Sequence, residues 1–315
     1  MIEREEIRYI EGTPVAVRAC SIERYVPHYH EDCLELMFLL KGTALVKASY
    51  DRFDMEAGDF VLINNGDVHY IRGSADNIII SIYLDLNRLK QDYEHFEYLY
   101  FICESFNANS MQEAYLQEIR RIIVSIVTEA ADRNRDTDKI TAEVRKLIDI
   151  LIYKFDLVHY HNGRDISETQ IERYHRIVKE VEQRYSEKLE LEDIAQKEFI
   201  GRNYISQFWK NMTNMNFTEY LNSRRSEMAE RMLLATDKSI NEISLVCGFS
   251  DPKYIYKNFR KWYEKTPSEY KKEYEKYKAE GTELDEYDCE EFLGRFGREF
   301  IYASVDEEKA DIIKS

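Results

Sequence analysis

Two stretches of this chain, residues 189–220 and 238–270, carry one pattern twice. Ile194 corresponds to Ile243 and Ile200 to Phe249 at an offset of 49. Tyr204 then corresponds to Tyr254, Trp209 to Phe259, Lys210 to Arg260 and Tyr220 to Tyr270 at an offset of 50. A single extra residue in the second copy accounts for the step. Each copy reads as a short helix, a tight turn and a second helix. In the first, Leu191 to Glu198 is the supporting helix, Phe199-Ile200-Gly201 the turn and Arg202 to Met212 the second helix. In the second, Ser239 caps Ile240 to Cys247 and Gly248-Phe249-Ser250 turns the chain. Pro252 then lies in the first turn of the next helix, where a missing N–H costs nothing.

The second helix of each copy decides the chemistry. Ile205, Phe208 and Trp209 anchor the first helix, which leaves Arg202, Asn203, Ser206, Gln207 and Lys210 outward. Tyr254, Ile255 and Phe259 anchor the other, which shows Lys253, Tyr256, Lys257, Arg260 and Lys261. Amide, hydroxyl and basic side chains are what base edges and phosphates require. Any amphipathic helix has a polar face, and most such faces are only solvated. Two of them at a fixed offset, both rich in donors, point to double-stranded DNA.

The formal net charge of −16 argues against that reading until its distribution is considered. Of 44 basic and 60 acidic residues, 21 and 18 fall between Ile171 and Lys278, a net of +3, and the remaining chain carries −19. A net of +3 is a modest electrostatic footprint, so phosphate contacts must come from placed residues.

This segment, roughly 171–271, resembles the AraC/XylS-type transcription regulators. The resemblance rests on Leu191-Glu192-Asp193-Ile194-Ala195, Tyr204-Ile205-Ser206, Phe217-Thr218-Glu219-Tyr220-Leu221 and Leu233 to Ile240. It continues through Gly248-Phe249-Ser250-Asp251-Pro252-Lys253-Tyr254 and Thr266-Pro267-Ser268-Glu269-Tyr270. It implies an all-α domain of seven helices, with a central helix near Phe217 to Leu234 setting the two units one DNA turn, about 34 Å, apart. It implies base contacts by Asn203, Ser206, Gln207, Lys253, Tyr256 and Lys257, and phosphate contacts by Lys210, Arg225, Arg260 and Lys261. The chain departs from the pattern at several points. Glu190 and Gly201 stand where Ser caps are usual, Asn214 and Glu264 at the usual helix-ending Gly, and Ser226 and Ser244 at apolar and Ala positions.

Residues 7 to about 86 read as β. Short apolar runs at Val15–Ala19, Leu34–Leu40, Ala44–Ala48, Phe60–Ile63 and Ile78–Leu84 are separated by Gly and Asp/Asn turns, as in a sandwich or barrel. Within them, His28-x-His30-x4-Glu35-x6-Gly42 is the first metal-ligand motif of cupin barrels. A fainter second motif runs from Gly58-Asp59 to Gly66-Asp67-Val68-His69, with Asn64 at the usual Pro. His28, His30, Glu35 and His69 would converge inside such a barrel and would suit Zn, Mn, Fe or Ni. Sensor domains of the AraC/XylS type also resemble cupins and commonly hold small effectors without metal. The site residues are therefore expected to bind an effector, a carbohydrate by the resemblance, through Tyr25, His28, His30, Glu35, His69 and Tyr70. A divalent metal at the three histidines and Glu35 is the alternative, and no cofactor is required.

From Asn87 the period becomes helical. Met111–Ala130 and Ile140–Tyr160 carry apolar stripes that either pack on the barrel or, in the second helix, form the seam of a homodimer. The fold expected is a two-domain α+β protein: an N-terminal cupin-like β-barrel with flanking helices, and a C-terminal all-α domain with two helix-turn-helix units. Residues 1–160 form the sensing and dimerisation domain, 161–168 the linker, 169–278 the DNA-binding domain and 279–315 a solvated acidic tail. The absence of a leader or an apolar span points to a cytoplasmic protein, and five scattered cysteines without a C-x-x-C pair to reduced thiols. The function expected is effector-responsive regulation of transcription, not catalysis. The alternative is a metal-dependent cupin enzyme with an appended helical domain.

Overall fold

The computed structural model describes residues 2–93, 96–106, 112–155 and 166–303. The chain divides into two compact units. One comprises residues 4–92, 101–155 and 280–315; the other comprises 1–3, 93–100 and 156–279. No helix among the described residues is long and apolar enough to cross a membrane.

The first unit is a nearly closed antiparallel β-barrel. Its strands are β1 (Glu3–Arg4), the first residue of which is assigned to the other unit, β2 (Val15–Tyr29), β3 (Cys33–Lys41), β4 (Thr43–Ala48), β5 (Asp51–Glu56), β6 (Phe60–Ile63), β7 (His69–Gly73), β8 (Ile78–Asp85) and β9 (Glu283–Tyr287). They run in the order β5-β4-β7-β2-β8-β3-β6, with β1 and β9 also paired to β2. The five expected strands are present. Two strands of the barrel path were missed: β5, which alternates polar and apolar residues weakly, and β7, which holds His69.

Alternation along the strands sorts the residues. On β3, Met37 and Leu39 enter a buried cluster with Cys20, Ile22, Val46, Ile63, Ile71 and Ile79. The residues between them, Leu36, Phe38 and Leu40, are buried on the opposite face. A sheet covered on both sides needs helices outside it, and α1 (Leu86–Leu89), α2 (Glu113–Ala131) and α3 (Thr137–Ile150) follow. Asp136 caps α3 by accepting from the backbone N–H of Asp138 and Lys139. Helix α3 continues as a π-helical turn to Phe155; the remainder of that expected helix and most of the expected linker lie outside the described residues. Ile140, Val144, Leu147 and Ile148 of α3 are buried within the one chain, in a helix pair with α2. That stripe is therefore not a free dimer seam.

The expectation of a solvated tail is corrected. Glu283–Tyr287 pairs antiparallel with β2 as β9, in the register Ala19↔Tyr287, Cys20↔Glu286, Ser21↔Asp285 and Ile22↔Leu284. The final helix packs against α2, β2 and β3. Its Phe292 and Phe300 are fully buried, Phe300 edge-on to Phe38 at 6.1 Å. Residues 292, 296 and 300 fall on one helical face, so the charge of the segment hides an apolar stripe.

The second unit is all-α: α4 (Glu168–Arg184), α5 (Leu191–Lys197), α6 (Arg202–Thr213), α7 (Phe217–Ala235), α8 (Ile240–Val246), α9 (Pro252–Trp262) and α10 (Pro267–Glu280), the last residue of which is assigned to the first unit. The helix of the tail, Cys289–Ala303, is α11. The repeat offsets become helix starts: α5 and α8 begin 49 residues apart, α6 and α9 50 apart. Ser167 and Gln170 form the expected capping box of α4. Trp209 anchors the first copy, stacked on Tyr174 at 5.7 Å and edge-on to Tyr220 at 4.9 Å. Phe259 holds the same place in the second, 4.7 Å from Tyr263 and 5.9 Å from Tyr270.

Candidate functional site

In the barrel, an irregularity in the pairing of β2 with β7 brings Tyr25, His28 and His69 to one side. The register of β2 on β7 passes from Tyr25↔Ile71 to His28↔His69, three residues against two. The extra residue is a β-bulge, and Pro27, which has no N–H to give to a ladder, sits inside it. Without the bulge, Tyr25 and His28 would face opposite sides of the sheet. With it their rings lie 4.1 Å apart, and the His28 and His69 rings also 4.1 Å apart. Glu35 comes from β3, opposite Tyr83 of β8.

One donor atom from each of His28, His30, Glu35 and His69 lies within 4.8 Å of the others, and all four side chains are buried. His30 Nε2 and His69 Nε2 are both 3.1 Å from Glu35 Oε2. His28 Nδ1 meets the carbonyl of Val26 at 2.9 Å and His69 Nδ1 that of Asp67 at 3.0 Å. These bonds turn both Nε2 atoms inward, as in imidazoles prepared to ligate a metal. Burial, then the neighbouring His69 and His30, hold His28 well below the usual histidine range. Burial opposes protonation of His69 as well, but the Glu35 carboxylate prevails and raises it. Glu35 is held well below the usual carboxylate range against its burial, by His30 and His69. Three imidazoles and a carboxylate, two rings fixed through Nδ1, fit a divalent cation such as zinc.

Tyr25 belongs to this site. Tyr70 does not: next to His69 on β7, it faces the other side of the sheet by strand alternation. Three residues that the motif does not include also face the cluster. Glu5 Oε2 lies 3.5 Å from His28 Nε2 and 3.8 Å from His30 Nε2. Arg18 Nη1 is 2.7 Å from the other oxygen of Glu5, and the Tyr83 ring is 5.2 Å from that of His30. Glu5 sits in a charged terminus with no spacing signal; only the pairing of Arg18 on an otherwise apolar β2 face could have hinted at it.

In the helical unit, Arg202, Asn203, Ser206, Gln207 and Lys210 are all exposed along α6, and Lys253, Tyr256, Lys257, Arg260 and Lys261 along α9. Two expectations are corrected. Tyr254 is 38% exposed rather than buried, because Ile255 and Phe259 already fill the core face. Arg225 is committed inside the unit: its Nε donates to the carbonyl of Tyr185 at 2.7 Å and its Nη2 to that of Glu187 at 2.8 Å. It caps the end of α4 and is half-buried, so it is a structural residue rather than a free phosphate contact. Lys261 also has a partner, Glu219 at 3.0 Å.

Comparison with known proteins agrees with this division. A cupin domain family matches residues 20–83 and a helix-turn-helix domain family matches 194–273. One stretch of the chain thus matches a cupin domain and another a helix-turn-helix domain. It is similar to the HTH-type transcriptional regulator YijO of Escherichia coli (strain K12), at 37% identity over 94 residues, which is 30% of this chain and 33% of that protein. It is also similar to an HTH-type transcriptional regulator of Staphylococcus aureus (strain MRSA252), at 24% identity over 242 residues, 76% of this chain and 31% of that protein. The chain spans about a third of the length of these relatives. Among solved structures, ToxT from Vibrio cholerae gives a TM-score of 0.41 at 15% identity, over 81% of this chain and 96% of that one. The C-terminal domain of the response regulator yesN from Fusobacterium nucleatum gives 0.31 at 29% identity, over 32% and 98%.

Proposed function

We propose that this protein is a sequence-specific DNA-binding regulator of transcription, acting as a homodimer, whose barrel binds a small effector at the His28, His30, Glu35 and His69 centre. The observation that carries the DNA reading is the pair of exposed donor faces on α6 and α9, each held by an aromatic anchor at the same position of a repeated unit. Asn203, Ser206 and Gln207 read bases from α6; Lys253, Tyr256 and Lys257 do so from α9. Lys210, Arg260 and Lys261 hold phosphates, Lys261 after leaving Glu219. An enzyme would have no use for this second half, and the regulator reading is preferred for that reason. The homodimer uses a face other than the α3 stripe.

For the effector, the donor set favours a divalent cation over a carbohydrate bound by side chains alone, since Tyr25 is the only tyrosine of the expected pair that faces the site. A carbohydrate would be bound by its hydroxyls beside Tyr25, Glu35 and the histidines. A cation would be held by the three Nε2 atoms and Glu35, and would supply a positive charge to a site otherwise rich in carboxylate. An effector shifts DNA affinity only by binding one arrangement of the protein more tightly than another.

The test is anisotropy of DNA from upstream of this gene and its neighbours, across a salt series with competitor, with zinc, a panel of sugars or neither. Saturable, selective binding that changes with one of these additions supports the proposal. Non-specific binding under every condition overturns it.

A further inference from the structure

We propose that Glu5 is a further ligand of a divalent cation at the barrel centre, shared with Arg18 until the cation arrives; this rests on the cation reading above. Glu5 lies outside both motif segments, and its placement comes from the fold alone. Its backbone N–H donates to the carbonyl of Tyr29 at 3.0 Å, which fixes the terminal segment beside the end of β2, between His28 and His30. Its Oε2 is buried and makes no hydrogen bond. Arg18 and Tyr25 already partner this carboxylate, but a buried oxygen left without a hydrogen bond is costly, and a cation at the centre would offset that cost.

The spacing suits that cation. Five donors about 2.0–2.2 Å from one ion in a trigonal bipyramid are roughly 2.8–3.1 Å apart at right angles and roughly 3.5–3.8 Å apart within the equatorial plane. Glu5 Oε2 is 3.5 and 3.8 Å from the His28 and His30 nitrogens, and Glu35 Oε2 is 3.1 Å from those of His30 and His69. Glu5 thus lies beside His28 and His30, and Glu35 beside His30 and His69, at distances that neighbouring ligands of one ion can take.

Arg18 makes the arrangement responsive. It faces the barrel interior from β2, paired with Glu5 Oε1 at 2.7 Å, and its Nε lies 3.6 Å from Glu286. Glu286 belongs to β9, the strand that follows directly on α10 of the helical unit. When Glu5 turns its charge to a cation, Arg18 loses its nearest carboxylate and Glu286 is the next one within reach. Occupancy at the centre is then felt by the strand on which the chain leaves the DNA-binding helices.

The test uses the full chain and Co²⁺, followed by its absorption spectrum and by calorimetry, with Glu5→Gln, Arg18→Gln and the double variant. Glu5→Gln should weaken Co²⁺ binding at least about tenfold and change the ligand-field spectrum. Arg18→Gln should tighten binding, and in the double variant that gain should vanish, because it acts through Glu5. Co²⁺ should alter amide exchange at Glu283–Tyr287 in the wild type and not in Glu5→Gln. Equal affinity and an unchanged spectrum in Glu5→Gln would overturn the role of Glu5 while leaving the four-residue cation site standing. A wild type that binds neither Co²⁺ nor Zn²⁺ would overturn both, without touching the DNA reading. Should Glu5→Gln fold poorly, the sign of the Arg18→Gln effect decides: no gain in affinity contradicts the shared carboxylate.

Discussion

The two helix-turn-helix units are one design executed twice with different chemistry. Their cores agree: Ile205 and Ile255 are fully buried, and Trp209 and Phe259 fill the same position. Their edges differ. Helix α6 begins at Gly201, which offers no capping side chain, whereas α9 begins at Asp251, which accepts from the N–H of Lys253 and is followed by Pro252. Helix α6 presents mainly amide and hydroxyl groups, α9 mainly lysines and a tyrosine. The turns share a left-handed residue, Phe199 at φ 56° and Gly248 at φ 83°, and their glycines are not counterparts, since Gly201 is the N-cap of α6. Gly201 has open space around its α-carbon, but a Cβ at Gly248 would lie 2.6 Å from the Ser186 carbonyl oxygen, at φ +83°. What the repeat keeps is what packs; what it varies is what lies exposed.

The comparison can be broken at its core first. Trp209→Ala and Phe259→Ala should each destabilise the helical unit by about 3–5 kcal/mol in urea titrations. A large loss from only one would show that the two anchors are not equivalent. Next come the turns: Gly248→Ala should cost more than about 1 kcal/mol, and Gly201→Ala well under that. Equal effects would remove the distinction drawn from the space around them.

The recognition faces should separate more finely. Gln207→Ala should lose about 1–3 kcal/mol of discrimination at particular base pairs and leave the salt dependence of binding unchanged. The matching change on α9 is Lys257→Ala. It removes a positive charge as well as a donor, so it should also lower the salt slope by up to about 1. Identical salt slopes in the two variants would erase the chemical contrast between the helices. Smallest of all, Glu264→Gly should stabilise by up to about 1 kcal/mol, since Glu264 holds φ 57° at a helix end. Asn214→Gly, at the same φ, should gain less because Asn tolerates that conformation.

How much of this was legible in the sequence follows the same division. Periodic features were readable: the repeat offsets, the buried aromatic anchors, the strand runs and the histidine motif all depend on spacing along the chain. What was missed depends on neighbours distant in sequence. Glu5 reaches the histidines because the terminal segment pairs with Tyr29. Tyr70 is excluded from the site because β7, unrecognised as a strand, points His69 inward and therefore Tyr70 away. Arg225 looked free until the end of α4 was placed beside it. The tail was hidden because Glu and Asp dominate its composition, while Phe292 and Phe300, eight residues apart, carry its packing.

The most direct test of the central claim is a footprint of the intact protein on its selected DNA, read at base resolution for the wild type, Gln207→Ala and Lys257→Ala. The account predicts two protected major-groove segments about 10 base pairs apart per protomer, one weakened by the α6 change and the other by the α9 change. A single protected segment, or protection indifferent to both substitutions, would contradict it.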